Sequence, residues 1–307
     1  MRHPEPFPAD LTAAPFAVRD ADRRNISRNR LRARDLTSPF RGVRVPLALV
    51  ANAKPEKKFA ALCDAYQTKL PPRWFFSGPT AARIMGIPVP HRLERMEVHV
   101  SSLVPHERPR GRWVRGHSAP GATVGTFRGR PVREPAEVWC ELASVLDIDE
   151  LIQAGDRLLS DKPFRLATRE QLEAAVARHA GRAGAKKLRE ALPQLRERVW
   201  SPKETTVRLT MVRAGMPEPE NNKPIYDENG KLVAIGDLVL EEFMTVVEYE
   251  GERWHADDRS IIDVDRFNAL SALLWTIVRV RKHHTRADIE RMVEKALRAN
   301  GWTPEHP

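Results

Sequence analysis

Along residues 201–301 the hydrophobic positions change period several times, and each change marks an element. Ser201–Gly215 (SPKETTVRLTMVRAG) carries Val207, Leu209, Met211 and Val212 on a predicted helix, opened by a serine cap, with Pro202 at its first position and a glycine at its close. Pro224–Val239 reads as a hairpin, because Asp227-Glu228-Asn229-Gly230 supplies turn chemistry in its middle. A second turn at Glu241-Glu242 leads into Met244–Glu250, which alternates as a strand toward its end. Asp263–Leu273 returns to helical spacing, Trp275–Val280 is a β-branched strand, and Thr285–Asn300 is a capped amphipathic helix closed by Gly301. The predicted order is αβββαβα.

Upstream the pattern is looser. Phe16–Asn25 has helical spacing with Phe16 and Ala21 inward, Ile26-Ser27 is a turn, and Arg28–Leu36 reads as a second, basic helix with Leu31 inward. Thr37-Ser38-Pro39 breaks it, and Phe40–Val45 reads as a strand that begins a wing. Helix, turn, basic helix and strand make a winged helix-turn-helix pattern. Trp74–Ile87 predicts a buried strand and a helix, Met96–Ser101 a strand, and Val124–Val132 a strand and turn. Glu134–Leu159 is an amphipathic helical pair, with Trp139, Leu142, Leu146 and Leu151 at apolar-face spacing; Thr168–Arg178 and Ala185–Leu195 add two helices. The expectation is an α+β multidomain protein: a winged helix-turn-helix over residues 1–46, a mixed α/β scaffold over 47–133, a helical connector over 134–200, and the αβββαβα core over 201–307. A chain of 307 residues is long enough for two or three domains.

Charge sharpens the reading of the front end. The formal net charge is +10, and between Arg19 and Arg44 nine arginines face three aspartates. Clustered arginine attracts polyphosphate by counterion release, so DNA is the expected partner, contacted by Arg28, Asn29, Arg30, Arg32, Arg34 and Arg41. A solvated basic helix with no nucleic-acid target is the plainer alternative. The apolar stretches fall short of the roughly 20 residues a membrane span needs, and the amino-terminal MRHPEPFPAD lacks the apolar core of a secretory signal. Cys63 and Cys140 are far apart, without metal-ligand spacing. The expectation is a cytoplasmic protein with no membrane partner.

Acidic residues carry the candidate chemistry. Asp237 falls on the second predicted strand of the core and Glu248 on the third; neighbouring strands lie about 5 Å apart, close enough for both carboxylates to share one divalent ion. Glu250 is two residues past Glu248 and so on the same face. Glu204, on the preceding helix, has two readings: a catalytic acid approaching from the side, or half of a capping box with Ser201. Glu248 also has a structural reading, a cross-strand pair with Arg279. Converging carboxylates call for a cation such as Mg²⁺ or Mn²⁺, which phosphodiester hydrolysis uses to acidify water and stabilise the oxyanion.

Two stretches resemble known families. The front end, with its phenylalanine-led helix, turn, basic helix and Arg41-Gly42-Val43 wing, resembles the amino-terminal domain of AbiEi-family antitoxins over roughly 40 residues. The run GDLVLEEFMTVVEYEGERWH followed by DVDRFNALSALLWTIVRV resembles the nuclease family related to very-short-patch-repair (Vsr) endonucleases, of PD-(D/E)XK type, matching at Asp237, Glu248, Glu250 and His255, then at Asp263, Arg266, Leu270, Trp275 and Arg279. The resemblance implies that Asp237, Glu248 and Glu250 hold Mg²⁺, that His255 transfers a proton or orients a phosphate, and that Arg279 neutralises phosphate or locks the core. Two positions depart from the pattern: Glu250 replaces the lysine that often ends the motif, and Leu274 replaces the usual glycine before Trp275. The expected function is therefore a metal-dependent DNA endonuclease aimed by a winged helix. Its rival is a non-catalytic AbiEi-like antitoxin or transcriptional regulator that binds an operator or a cognate toxin. RNA as substrate stays open.

Overall fold

A computed structural model describes residues 7–251 and 267–304. The chain is a mixed α/β protein of two compact units, Met1–Leu142 and Ala143–Pro307. The junction lies inside the expected helical connector: the first helix of the Glu134–Leu159 pair belongs to one unit and the second to the other. Among the described residues, no helix is long and apolar enough to cross a membrane.

The first unit opens with a short helix α1 (Ala9–Thr12), strand β1 (Phe16–Ala17) and helix α2 (Val18–Asp22). Strands β2 (Leu36–Thr37) and β3 (Val43–Pro46) follow, and β3 lies central in a small antiparallel sheet, flanked by β1 and β2. Leu11, Phe16, Ala21 and Leu31 make its core. The predicted basic helix Arg28–Leu36 is not there; a single 3₁₀ turn, Arg30–Arg32, takes its place. The cause is local. Leu31 is the lone apolar anchor between Arg28 and Arg34, and helical winding would stack Arg28 on Arg32 and Arg30 on Arg34 as like-charge i,i+4 pairs. Instead Arg30 forks onto Asp35 at 2.8 and 2.6 Å, and Arg44 donates from Nε to the Leu31 carbonyl at 2.6 Å. Phe16-Ala17, expected as helix, pair with Arg44 and Val43 as strand.

The rest of the unit is a five-stranded sheet of β4 (Trp74–Phe76), β5 (Val98–Ser102), β6 (Val114–Ser118), β7 (Val124–Phe127) and β8 (Arg130–Arg133), ordered β6-β5-β4-β8-β7. Helices α3 (Pro55–Gln67), α4 (Gly78–Met85) and α5 (Pro135–Leu142) belong to the same unit. Tyr66, Phe75, Phe76, Trp139 and Leu142 are fully buried. Both cysteines are buried and free, and burial pushes the Cys63 thiol up to about 12. Strand β6 escaped sequence reading: VRGHS carries polar residues where a half-buried strand would alternate.

The second unit begins with α6 (Ile148–Leu159), α7 (Arg169–Arg178) and α8 (Ala185–Ala191), then α9 (Pro202–Arg213). A hairpin of β9 (Glu220–Tyr226) and β10 (Leu232–Leu240) leads to β11 (Thr245–Glu250), helical residues 267–272 (α10), β12 (Thr276–Arg281) and α11 (Arg286–Ala299). The order αβββαβα is the one predicted. The strands are ordered β12-β11-β10-β9, antiparallel except for the parallel β11–β12 pair. One face packs Leu238, Leu240, Val247, Val278 and Val280 against Val207 and Met211 of α9 and Ile289, Val293 and Leu297 of α11. The other packs Ile225, Ala234, Val239 and Val246 against Leu270 of α10.

Local chemistry fixes these elements. Asp227 Oδ1 accepts from the Asn229 and Lys231 N–H groups at 2.9 Å, which closes the hairpin turn. Thr285 and Asp288 form a full capping box on α11. Beneath α9 a buried ion pair joins it to α6: Arg208 reaches Asp156 at 3.2 Å, with side chains 1% and 0% exposed. Thr205 and the Arg196 N–H also donate to Asp156, and Arg208 further holds Glu218 and the Gln194 carbonyl. Leu274, at the position where the nuclease resemblance expects glycine, takes a left-handed φ of 63°.

Candidate functional site

Strand register decides where the acidic residues stand. Leu238 pairs with Val247 and Val239 with Val246. Asp237 and Glu248 are the first residues beyond this ladder, and the alternation of β10 breaks there, since Gly236 already shares the face of Val239 and Val246. Ladder pairing ends here: the Asp237 carboxylate, rather than a backbone carbonyl, accepts the Tyr249 N–H at 2.9 Å. The β10–β11 ladder therefore ends at the residues that carry these two carboxylates. Asp237 is half-buried and Glu248 buried.

Glu204 belongs to the same neighbourhood, but not through the capping box expected of it. Ser201 does accept the Glu204 N–H, at 3.2 Å. The Glu204 carboxylate skips the Ser201 N–H: its Oε2 accepts from the Trp200 N–H at 2.8 Å and from Asn222 Nδ2 at 2.7 Å. Asn222 lies between Asn221, which pairs with Leu238, and Lys223, which pairs with Gly236, so it faces Asp237 from the other side. Burial and, further, the negative charge of Asp237 push the Glu204 carboxyl above the usual carboxylate range.

Glu250 shares the face of Glu248, two residues along β11. Register sets Glu248 beside Arg279 and Glu250 beside Arg281. The Glu250 carboxylate meets Arg279 Nε at 3.1 Å and Arg281 Nε at 2.8 Å. The Arg279 guanidinium also lies 4.7 Å over the Phe267 ring. Among the described residues, no group of three or more His, Cys, Asp or Glu side chains is arranged to hold a metal ion. His255, Asp263 and Arg266 lie outside the described residues.

At the front end Arg28, Asn29, Arg32, Arg34 and Arg41 are exposed. Arg30 is not available in the same way: its side chain is 9% exposed, paired with Asp35, and stacked 3.9 Å over Phe7.

The first unit holds a polar cluster that sequence reasoning missed. His99 and His117 stack with centroids 5.4 Å apart, Nδ1 of one 3.2 Å from Nε2 of the other. Glu97 sits 3.5 Å from His99 Nε2. Burial, then the neighbouring His117 charge, lower His99 to about 4. Parallel pairing of β5 with β6 creates this contact, and neither histidine signals it from its own position.

Comparison with known proteins gives relatives without a function. The chain is 31% identical over 183 residues to two uncharacterized proteins of Mycobacterium tuberculosis, from strains CDC 1551 / Oshkosh and ATCC 25618 / H37Rv. The match covers 59% of this chain and 66% of each relative, a little under two thirds of their length. No family model matches the chain. No solved structure matches it.

Proposed function

We propose that residues 201–301 form a PD-(D/E)XK-type, Vsr-like nuclease core, and that the protein is a metal-dependent endonuclease hydrolysing phosphodiester bonds in DNA. One observation carries the reading: Asp237 and Glu248 are the residues directly beyond the last β10–β11 pair, where the Asp237 carboxylate accepts the Tyr249 N–H. An all-oxygen pair of this kind fits Mg²⁺ or Mn²⁺, since Mg²⁺ commonly takes one or two carboxylates and leaves its remaining positions to water and phosphate. When bound there, the ion supplies an acidified water and a counter-charge for the developing oxyanion. Asp237 and Glu248 would hold it. Glu204, kept toward its protonated form, is a proton donor beside them. Glu250 fits the role of third ligand poorly while Arg279 and Arg281 occupy it; on this reading it aims the two arginines at a phosphate. His255 retains the proton-transfer or phosphate-orienting role that the resemblance implies. The exposed Arg28, Asn29, Arg32, Arg34 and Arg41 contact the DNA backbone in the cytoplasm.

The engagement of Glu250 also favours the second reading, a non-catalytic AbiEi-like regulator or antitoxin that keeps the acids as part of the fold and binds an operator or a toxin. Supercoiled plasmid incubated with Mg²⁺, Mn²⁺ or EDTA separates the two. Endonuclease action predicts metal-dependent nicking that Asp237→Asn abolishes while its melting temperature holds. Undiminished nicking by Asp237→Asn sinks the site. Absence of nicking, together with no Mn²⁺ binding by isothermal titration, leaves the regulator.

A further inference from the structure

The loop between β5 and β6, HERPRGRW over residues 106–113, is used by neither reading above and lies near the His99–His117 pair, where the Arg108 charge helps to lower His117. It is tied down at several points. The Glu107 carboxylate takes the Arg73 guanidinium at 3.0 Å, the Trp74 indole N–H at 2.8 Å, and the Ser102 hydroxyl. Pro109 is buried, and its backbone fills the space where Gly116 lacks a side chain: a Cβ on Gly116 would stand 1.9 Å from the Pro109 carbonyl oxygen. The Trp113 carbonyl accepts the Val98 N–H at 2.8 Å, and the Gly111 carbonyl accepts the Val114 N–H at 3.2 Å.

Arg108, Arg110 and Arg112 are exposed, and among the described residues none of them makes an ion pair or a side-chain hydrogen bond. Trp113 is 47% exposed, alone among the described tryptophans in being classed as exposed, and it takes a left-handed φ of 60° that a bulky side chain normally avoids. The Arg112 guanidinium lies 5.1 Å from its ring centroid. Arg115, paired with Glu97 at 3.5 Å, follows on β6, an edge strand of the sheet. Arginines alone would suit any polyanion and an exposed indole alone would suit a protein surface. Their combination on one anchored loop suits a strand whose bases are unpaired, with phosphates for the guanidinium groups and a base face for the ring.

We propose that the Arg108–Trp113 loop is a binding site for single-stranded nucleic acid, in which Trp113 stacks on an unpaired base and Arg108, Arg110 and Arg112 engage the flanking phosphates. The site is independent of cleavage, so it is tested on the full chain in EDTA. The probe is a fluorescein-labelled oligo(dT) of about 15 nucleotides, the upper end of what one such platform covers, with a blunt duplex and an oligo(U) of equal length beside it. The expected result is tighter binding of both single strands than of the duplex. Trp113→Ala weakens oligo(dT) binding about ten-fold and Trp113→Phe about two-fold, because a smaller ring still stacks. Replacing the three arginines by glutamine lowers the slope of log K against log salt by about 2, at roughly 0.7 per phosphate contact. Should Trp113→Ala melt early, tryptophan quenching decides: oligo(dT) quenches the parent protein, and Trp113→Phe loses that quench. Unchanged affinity in a folded Trp113→Ala overturns the proposal. So does duplex preference, or full displacement of oligo(dT) by polyglutamate at equal charge, which would mean that the loop reads charge alone.

Discussion

The arginine-rich front end and the acidic sheet of the second unit each advertise function in the sequence, and they differ in what else the sequence offers. Between Arg28 and Arg34 there is charge and one apolar anchor, Leu31. The segment folds as a single turn, and its most central arginine, Arg30, goes to Asp35 rather than to solvent. Between Ser201 and Gly301 charge is secondary to caps, turns and alternating apolar positions, and every predicted element there that lies in the described residues is found. Charge alone announces a partner but does not specify a shape; apolar period with capping chemistry does.

The largest test of that contrast is the buried frame under α9. Arg208→Met should lower the stability of the second unit by about 3–5 kcal/mol, since it strands the Asp156 carboxylate without its cation. Adding Asp156→Asn should restore part of the loss. A denaturant midpoint unmoved by Arg208→Met would mean that this network is incidental to the fold.

The first unit has an acid-sensitive element in the His99–His117 pair. His99 is held near 4, below its ordinary 6.5, so the folded state resists protonation more than the unfolded chain does. The associated stability is fully present above 6.5 and drains away as pH falls toward 4, by on the order of 3 kcal/mol. Unfolding midpoints taken across that interval should fall, and His99→Gln should flatten the fall. A profile that His99→Gln leaves unchanged would place the sensitivity elsewhere.

The smallest effect is at Leu274, 82% exposed and left-handed. Leu274→Gly removes the steric conflict of its Cβ and should stabilise by about 1 kcal/mol. A lower melting temperature would show that the leucine side chain contributes contacts that outweigh its strain.

Much of the second unit was legible because its signals are local. Ser201 caps α9, Asp227–Gly230 turns the hairpin, and Thr285 caps α11 through contacts within a few residues. Register across a sheet is not local. Glu250 goes to Arg279 and Arg281 because β11 and β12 run parallel in one particular alignment, and the stretch between them gives no rule for that alignment. The Glu204–Asn222 contact and the His99–His117 stack were hidden for the same reason. The strands that carry Asp237 and Glu248 could be assigned in advance because a tight turn joins them, which limits the possible offsets.

Gly116 has a consequence for how variation in this protein should be read. With the Pro109 backbone occupying the volume of any side chain there, the position admits no substitution without rebuilding the loop, while Arg110, a few residues away, touches nothing that folding requires. A library selected for folding would therefore find Gly116 invariant and Arg110 free to drift. A library selected for ligand capture would lose function at both and give no sign that one residue is foundation and the other contact.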